Sequence, residues 1–177
     1  MATTTTWVID PTHSEIQFKV KHLVISTVTG NFRSFDGKAV SANEDFTDSE
    51  IEFTIDVNSI DTNQEQRDAH LKSADFFDAE KYPKMSFKST SFKKEGSDYK
   101  LVGDLTIKDV TKQVELDVEF GGVAGDFYGN TKAGFELSGK ISRREFGLVW
   151  SGITEAGTVV VGDDIKLVLS VQFAKQA

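Results

Sequence analysis

Apolar and polar residues alternate with a period of two through much of this chain, which is the pattern of a β-strand with one buried face. From residue 15 to residue 22, one side of the pattern carries Ile16, Phe18, Val20 and His22, and the other carries Gln17, Lys19 and Lys21. Residues 51–57 repeat the pattern, with acidic residues and Thr54 between the apolar ones. Because successive side chains of a strand point to opposite faces, both segments predict half-buried strands.

The same alternation returns often enough to build a closed sheet. Further runs lie at 101–107, 114–120, 135–141 and 165–173, with shorter candidates at 28–35, 37–40 and 85–92. Short strands that follow one another in this way favour an antiparallel meander, and glycines within them allow the bends that curl a sheet. The sequence therefore predicts a mainly β fold, an eight-stranded antiparallel lipocalin-like barrel, as a single domain over residues 1–177.

One segment breaks the alternation and predicts a short helix packed against the barrel. Between Thr62 and Leu71 the chain contains Gln, Glu, Arg, Ala, His and Leu in place of β-branched residues. Thr62 and Glu65 stand at the spacing of a capping box, in which two side chains satisfy the first free amide groups of a helix. Pro83 then marks the return to extended chain.

Charge and cysteine content exclude several classes of function. The net charge is −8, so we expect no nucleic acid as a partner. The absence of cysteine excludes disulfides, thiolate nucleophiles and cysteine-ligated metals. No run approaches the length of a membrane span, and the first seven residues lack the basic and apolar regions of a signal peptide. The sequence as written predicts a cytoplasmic protein, or a periplasmic one if a signal peptide has been removed.

The interior of such a barrel has two possible states. An eight-stranded barrel either fills its interior with side chains or keeps room for one small ligand. The chain has 14 Phe against 2 Trp and 3 Tyr, so most of its rings have no polar group to satisfy when buried. This composition fits apolar walls around a cavity and equally fits an ordinary Phe-rich core, and the pattern alone leaves both open.

Short motifs over nearly the whole chain occur in an order typical of one family. The N-terminal half contains Trp7-Val-Ile-Asp-Pro-Thr-His-Ser14, Phe18-Lys-Val-Lys-His22, Val28-Thr-Gly-Asn-Phe32, Ser59-Ile-Asp-Thr62, Arg67-Asp-Ala-His-Leu71 and Asp75-Phe-Phe-Asp78. After Tyr82-Pro83 and Phe87, the C-terminal half adds Gly103-Asp-Leu-Thr-Ile107, Val110-Thr-Lys112, Arg143-Arg-Glu-Phe-Gly147 and Val161-Gly-Asp163. Together they resemble the YceI-like family, the polyisoprenoid-binding, lipocalin-like proteins of bacteria. The departures, Asp109 and Gln113, fall in a turn.

The resemblance implies an extended antiparallel barrel with a packed helix and a long apolar pocket. It also implies lipid-like ligands with isoprenoid or fatty chains, isoprenoid quinones among them, and frequent homodimers. It implies no established catalysis and no cofactor. We therefore expect a protein that binds, carries or sequesters an apolar small molecule and is not an enzyme.

Strand parity and the resemblance together give the residues expected to contact this ligand. The expected lining residues are Phe18, Val20, His22, Phe32, Phe53, Ile55, Leu71, Phe76, Phe77, Phe87, Leu105, Phe135, Leu137, Phe146 and Leu148. Arg67, His70 and Arg143 are candidates for meeting a polar or phosphate headgroup at the barrel mouth, although structural ion pairs are the commoner use of such residues.

Two other functions stay open at this point. Asp10, His13 and Ser14 supply the residue types of a nucleophilic triad for a hydrolase acting on a lipid ester or amide, yet the same residues more often tie a chain to its first strand. The three histidines, at 13, 22 and 70, have no paired spacing, so no metal site is predicted. A ligand-free barrel that acts through its surface, as a stress-associated interaction module, is the remaining alternative.

Overall fold

The computed structural model describes residues 4–22, 25–43, 46–74, 76–148 and 161–176. The strands in these ranges are β1 Thr5–Ile9, β2 Glu15–His22, β3 Ser26–Phe32, β4 Phe35–Ser41, β5 Glu50–Asp56, β6 Ile60–Asp61, β7 Lys84–Glu95, β8 Asp98–Ile107, β9 Val110–Gly125, β10 Thr131–Ser142 and β11 Val161–Lys175. The helix α1 spans Glu65–Lys72, and 3₁₀ turns span Pro11–His13, Val57–Ser59 and Arg143–Phe146. Crossing a bilayer takes about 20 apolar residues, and no helix in these ranges offers such a stretch.

The strands pair antiparallel and close into a ring. The ring runs β1-β4-β5-β7-β8-β9-β10-β11, and β11 pairs back onto β1. The strands β2, β3 and β6 continue the sheet from β11. Because β1 and β2 both pair with β11 on either side of a 3₁₀ turn, they form one broken strand. Two more broken strands are β3 with β4, which has no 3₁₀ turn at its break, and β5 with β6, which is broken at the 3₁₀ turn Val57–Ser59. Counted so, the barrel has eight strands, and the predicted fold is confirmed.

The carboxylate of Asp10 builds the break between β1 and β2. It accepts hydrogen bonds from Thr12 N at 3.1 Å and from Thr12 Oγ1 at 2.7 Å, and it lies 2.8 Å from His13 Nδ1. The ammonium group of Lys132, on β10, donates to it at 2.5 Å. These bonds, that of Lys132 first, hold the pKa of Asp10 well below its ordinary value. The break is therefore fastened to β10, which lies one strand away across β11.

The helix begins later than the sequence predicts, and the predicted capping box is wrong. Gln64 is the capping residue of Glu65–Lys72, and its side-chain oxygen accepts a hydrogen bond from the first turn at 2.8 Å. Thr62 instead donates its hydroxyl to Asp68 Oδ1 at 2.5 Å. Asn63 has a φ of 67°, which turns the chain between Thr62 and the helix. A left-handed residue at this point ends the strand path and delays the first helical turn.

The interior of the barrel is filled at the end where β9 turns into β10. Phe135 is the centre of this filling, since its ring centroid lies 5.2 Å from that of Phe46 and 5.0 Å from that of Phe120. Stacked and edge-to-face contacts extend the cluster across the barrel. We call the set the aromatic plug, and its members are Trp7, Phe46, Phe92, Tyr99, Phe120, Phe135 and Phe173.

Candidate functional site

The half of the barrel away from the aromatic plug encloses a cavity of about 120 Å³. The surface of this cavity is apolar throughout. Its walls come from β2, β3, β5 and β7 to β11, from three residues in or after α1, and from two residues in or after the 3₁₀ turn that follows β10: Leu71, Phe76 and Phe77, and Arg143 and Leu148. Of the two states open to a barrel of this size, the hollow one applies to this half and the filled one to the other.

Most of the predicted lining residues surround this cavity. They are Phe18, Val20, Phe32, Phe53, Ile55, Leu71, Phe76, Phe77, Phe87, Leu105 and Leu148. The sequence prediction missed wall residues that share strand parity with these, namely Ile16, Met85, Ile107, Val114, Leu116, Ile141, Ile165, Leu167 and Leu169. The same period-two pattern contained the signal for them, because each stands two or four residues from another inward residue.

Some predicted lining residues lie elsewhere. Phe135 and Leu137 line a separate void of about 20 Å³ at the edge of the aromatic plug. Phe146 is buried, with 1% of its surface exposed, but it is not part of the cavity wall. The side chain of His22 lies outside the described part of the structure. Whether any of the fifteen residues contacts a ligand stays a prediction.

Glycines across from phenylalanines explain why this half is hollow. Gly30 stands directly opposite Phe18 on the neighbouring strand. A Cβ atom at Gly30 would lie 2.2 Å from Phe18 Cζ, so the ring occupies the place of the missing side chain and lies against the wall. Two further rings lie over a glycine of a neighbouring strand: Phe53 over Gly37, directly opposite it, and Phe87 over Gly103, its diagonal neighbour. Rings that fold back on the sheet leave the centre of the barrel unfilled.

Among the described residues of the cavity wall, only Arg143 carries a charge. Its side chain is 1% exposed, and its Nε and Nη1 atoms donate to Gly162 O at 2.8 Å and to Leu148 O at 2.6 Å. Burial lowers the pKa of Arg143, and the neighbouring carboxylate of Asp163 opposes that shift. Since the cavity surface has no polar atom, Arg143 presents its carbon stem to the cavity. The guanidinium group fastens the turn after β10 to the start of β11.

The two headgroup candidates on α1 have neighbours close by. Arg67 donates from Nε to Thr62 Oγ1 at 2.8 Å and from Nη2 to Thr62 O at 2.6 Å. The ring of His70 packs edge to face against Phe76, with centroids 5.1 Å apart. Both contacts hold α1 and the following segment in place beside the cavity. A role for either residue in binding a headgroup stays a prediction.

Of the three residues of the candidate triad, Asp10 and His13 bond to each other, whereas Ser14 bonds to a different strand. Ser14 Oγ accepts a hydrogen bond from Gln172 N at 2.9 Å, which ties it to β11, while His13 bonds to Asp10. None of the three lines the apolar cavity. These contacts match the structural role that the sequence favours for them, the fastening of the chain at its first strands. Within the described ranges, no cluster of three or more His, Asp or Glu side chains could hold a metal ion.

Comparison with known proteins identifies the family. A family model described as a YceI-like domain matches residues 7–173. The chain belongs to the YceI-like family. It is 37% identical over 164 residues to a UPF0312 protein of Pectobacterium atrosepticum, covering 93% of this chain and 82% of that protein. It is also 41% identical over 166 residues to a UPF0312 protein of Staphylococcus epidermidis, covering 93% and 95% of the two chains.

Solved structures of the same shape support this YceI-like assignment. The YceI protein of Campylobacter jejuni is 36% identical, with a TM-score of 0.74 over 89% of this chain and 90% of that one. A polyisoprenoid-binding domain from Saccharophagus degradans has a TM-score of 0.68 over 96% and 98% of the two chains. At 14% identity, that second likeness shows the fold alone.

Proposed function

We propose that this YceI-like chain binds the hydrocarbon chain of a lipid in the cavity beside the aromatic plug. The observation that carries the proposal is that the cavity surface is apolar throughout, in a barrel whose other half is filled. Apolar cavities of this kind stay dry and take up apolar guests. The similar fold of a domain described as polyisoprenoid-binding supports an isoprenoid, an isoprenoid quinone or a fatty chain as the guest, for carriage or sequestration.

The volume of the cavity determines how many carbons of a lipid's hydrocarbon chain it holds. A cavity of about 120 Å³ is close to the roughly 150 Å³ that admits a benzene molecule, so it holds about six carbons. Burial of six carbons gives about 5 kcal/mol, at about 0.8 kcal/mol each. Association costs roughly 4–15 kcal/mol, so six carbons alone bind weakly. Firm binding therefore requires a longer chain and a wider cavity.

The residues in and after α1 are the part of the wall best placed to widen the cavity. No residue of the helix is fully buried, so the helix is held on the barrel by less apolar packing than the strands are. Leu71, Phe76 and Phe77 form the cavity wall on this side. Their outward movement would extend the cavity without breaking a strand pairing. In this proposal a long chain enters with its apolar end first and displaces these three side chains.

The headgroup of the lipid stays outside the cavity in this proposal. A polar group placed inside would lose its hydrogen bonds to water and find no partner on the wall, at a cost of roughly 2–7 kcal/mol. Arg67 and His70, on the helix beside the cavity, are the proposed neighbours of the headgroup. The structural bonds of Arg143 make it the least suited of the three candidates.

Extraction of the purified protein with organic solvent, followed by mass spectrometry, tests whether it carries a lipid. The extracted protein is then titrated with a prenol and with a fatty acid. A tryptophan at Val114, on the cavity wall, should block the cavity, whereas the matched change at Val102, which lies between two inward residues of β8, should not. The proposal predicts a lipid in the extract. It also predicts that Val114→Trp abolishes binding of the prenol and the fatty acid, whereas the change to tryptophan at Val102 does not. No extracted lipid together with no binding in any variant would contradict it.

Two expectations from the sequence remain proposals beside this function. The first is the homodimer that the family resemblance implies. The second is the compartment, cytoplasmic for the sequence as written and periplasmic if a signal peptide has been removed. Fractionation of the native host, with detection of the protein in each fraction, distinguishes the two compartments.

A further inference from the structure

Lysines stand side by side across three neighbouring strands on the outer face of the barrel. Lys166 on β11 lies directly opposite Lys19 on β2 and directly opposite Lys140 on β10. Because neighbouring strands are about 4.8 Å apart, the backbones that carry these three ammonium groups lie within about 10 Å. Lys21 is exposed on the same face, two residues beyond Lys19. We call the four residues Lys19, Lys21, Lys140 and Lys166 the lysine patch.

A row of charges across four other strands shows the usual arrangement in this protein. Each charge there lies opposite one of the other sign, in the order Lys38, Glu52, Lys88 and Asp104 across β4, β5, β7 and β8. Opposite charges that face each other across two strands stabilise a sheet, and like charges destabilise it. The lysine patch therefore lowers the stability of the fold.

Few carboxylates offset the charge of the lysine patch. Lys140 lies 3.2 Å from Asp164, but both side chains are well exposed, and ion pairs of this kind contribute little. Among the described residues, no carboxylate lies within 4 Å of the ammonium group of Lys19, Lys21 or Lys166. These three positive charges are available to an anion outside the protein.

Acidic residues occupy the matching row nearer the aromatic plug. Glu15 on β2 and Glu136 on β10 both lie opposite Ser170, four residues from the lysines of the same three strands. Four residues of strand span about 13 Å, which exceeds the Debye length of about 8 Å at physiological ionic strength. The two rows are therefore largely screened from each other, and the lysine patch attracts anions although the net charge of the chain is −8.

An exposed aliphatic side chain lies beyond the lysine patch. Ile25 is 85% exposed and directly precedes Ser26, the first residue of β3. Ser26 pairs with the last residue of β2, so Ile25 lies at the end of β2 that carries Lys21. Attachment to an anionic bilayer combines two contributions, the attraction of basic residues to phosphates and the burial of apolar side chains at the acyl boundary. The lysine patch and Ile25 supply one contribution each.

We propose that this side of the barrel docks on an anionic phospholipid bilayer, with the lysine patch against the headgroups and Ile25 inserted below them. Lysine suits such a surface, because its ammonium group is a point charge on a flexible stem and requires no fixed geometry of its partner. A nucleic acid backbone would satisfy the lysines but would leave Ile25 without an apolar contact. The inference goes beyond the proposed function, and it depends on charge and exposure rather than on the cavity.

Docking on this side brings the cavity close to a source of hydrocarbon chains. The lysine patch stands on the outside of the cavity wall, since the residues that alternate with its lysines line the cavity: Phe18, Val20, Ile141, Ile165 and Leu167. A lipid that leaves the bilayer would therefore meet the hollow half of the barrel first.

The exposed rings of Phe127 and Tyr128 face away from the bilayer in this proposal. They lie on the turn between β9 and β10, at the aromatic-plug end. Glu119 and Glu136 lie directly opposite each other on the strands that lead to this turn. An anionic surface repels these carboxylates, so the more apolar turn is the less suited one.

Flotation with vesicles tests the proposal, with phosphatidylcholine alone and with about one third phosphatidylglycerol. We expect the wild type to bind only the anionic vesicles and to be released as salt rises from about 0.05 M to about 0.5 M. Each lysine near such a surface changes binding roughly fivefold, so Lys19→Gln with Lys166→Gln should weaken it about 25-fold. The matched control, Lys38→Gln with Lys88→Gln, removes the same charge from the row of alternating sign and should leave binding unchanged.

A second pair of variants tests the orientation on the bilayer. Ile25→Ser should weaken vesicle binding at least fivefold, because it removes the inserted side chain. Phe127→Ser is the control, since this ring is larger and fully exposed but lies at the other end of the barrel, and it should bind as the wild type does. No binding to anionic vesicles, equal losses in the two lysine variants, or a loss in Phe127→Ser rather than Ile25→Ser would overturn the proposal.

Three measurements on the same proteins separate docking from other roles of these residues. Prenol titration without vesicles should be the same in the lysine variants and the wild type, so a failure of docking is distinguished from a failure of the cavity. The melting temperature of Lys19→Gln with Lys166→Gln should equal or exceed that of the wild type, since like charges are removed, and a lower value would contradict the argument. Binding of double-stranded DNA through the same lysines, without binding to vesicles, would assign the patch to another anion and overturn the proposal.

Discussion

Replacement of Gly30 by alanine tests the physical origin of the cavity. The new Cβ would lie 2.2, 2.5 and 3.0 Å from three carbons of the Phe18 ring. Carbon atoms in ordinary contact are about 3.5–4.0 Å apart, so the tip of the ring must move by about 1.5 Å. Gly30 has no positive φ, so the alanine backbone itself is unstrained. Because the ring lies between the wall and the cavity, it moves into the cavity.

The movement has two measurable consequences. Overpacking of a core costs about 1–3 kcal/mol, and the smaller conformational freedom of alanine in the unfolded chain returns about 0.4–1 kcal/mol. We therefore expect the free energy of unfolding to fall by about 1–2 kcal/mol. A ring that displaces one or two methylenes of the ligand removes about 0.8–1.6 kcal/mol of burial, which weakens binding by about 4- to 15-fold.

Urea denaturation and prenol titration of four variants test this prediction: Gly30→Ala, Phe18→Leu, their combination and Gly134→Ala. Gly134→Ala is the matched control, because a Cβ at Gly134 meets no atom within 4 Å; we expect it to leave prenol binding unchanged and to raise the free energy of unfolding by about 0.4–1 kcal/mol. The double variant Gly30→Ala with Phe18→Leu removes the ring that clashes, so its loss of stability should be smaller than the sum of the losses in the two single variants. If Gly30→Ala binds prenol and unfolds as the wild type does, the proposed link between the glycine and the cavity is wrong.

Three further predictions concern the charges and the cavity. The pKa of Asp10 is lower in the folded protein than in the unfolded chain, where it is about 3.9. The ionised carboxylate therefore stabilises the fold above about pH 3.9, and this stabilisation is lost as the pH falls through the folded pKa. Asp10→Asn should therefore lower the free energy of unfolding by about 1.5–3 kcal/mol at pH 7, and in urea denaturation its stability should depend less on acid pH than that of the wild type. If the stabilities of the variant and the wild type fall in parallel with pH, this reasoning is wrong. Arg143→Lys should lose about 1–3 kcal/mol of stability, because the carbonyls of Gly162 and Leu148 lose a hydrogen-bond donor. Its affinity for a neutral prenol should not change. A loss of affinity in this variant would show that the guanidinium group contacts the ligand. Calorimetric titration with linear alcohols should show about 0.8 kcal/mol per added methylene, and an affinity independent of chain length would place the alcohols outside the cavity.

The sequence predicts the barrel well because the period of two is a direct consequence of one buried face. It misses β1, Thr5–Ile9, because only Trp7 and Ile9 alternate there and five residues give too short a pattern. It also places one strand end wrongly, because it ends one run at Phe35 and begins the next at Gly37, whereas the structure ends β3 at Phe32 and begins β4 at Phe35. The helix start was wrong because the left-handed φ of Asn63 has no signal in helix propensity.

The sequence predicts the candidate site only in part, because strand parity gives one of the two coordinates that place a residue in a barrel. Parity gives the face of a residue but not its height along the barrel, so Leu137 and Ile141 look equivalent in sequence. The register places Leu137 opposite Leu169 and Ile141 opposite Ile165, four residues apart along the strand. One lies beside the aromatic plug and the other lines the cavity. The contact of Phe18 with Gly30 also depends on register, which the sequence pattern does not specify.

A crystal structure of the delipidated protein with a long fatty acid brominated at its methyl end tests the central claim most directly. The bromine marks the end of the chain by its anomalous scattering. Our account predicts one strong anomalous peak inside the cavity, among Phe18, Ile55 and Leu105, with Leu71, Phe76 and Phe77 displaced outward. An empty cavity, with bromine only on the protein surface, would contradict it.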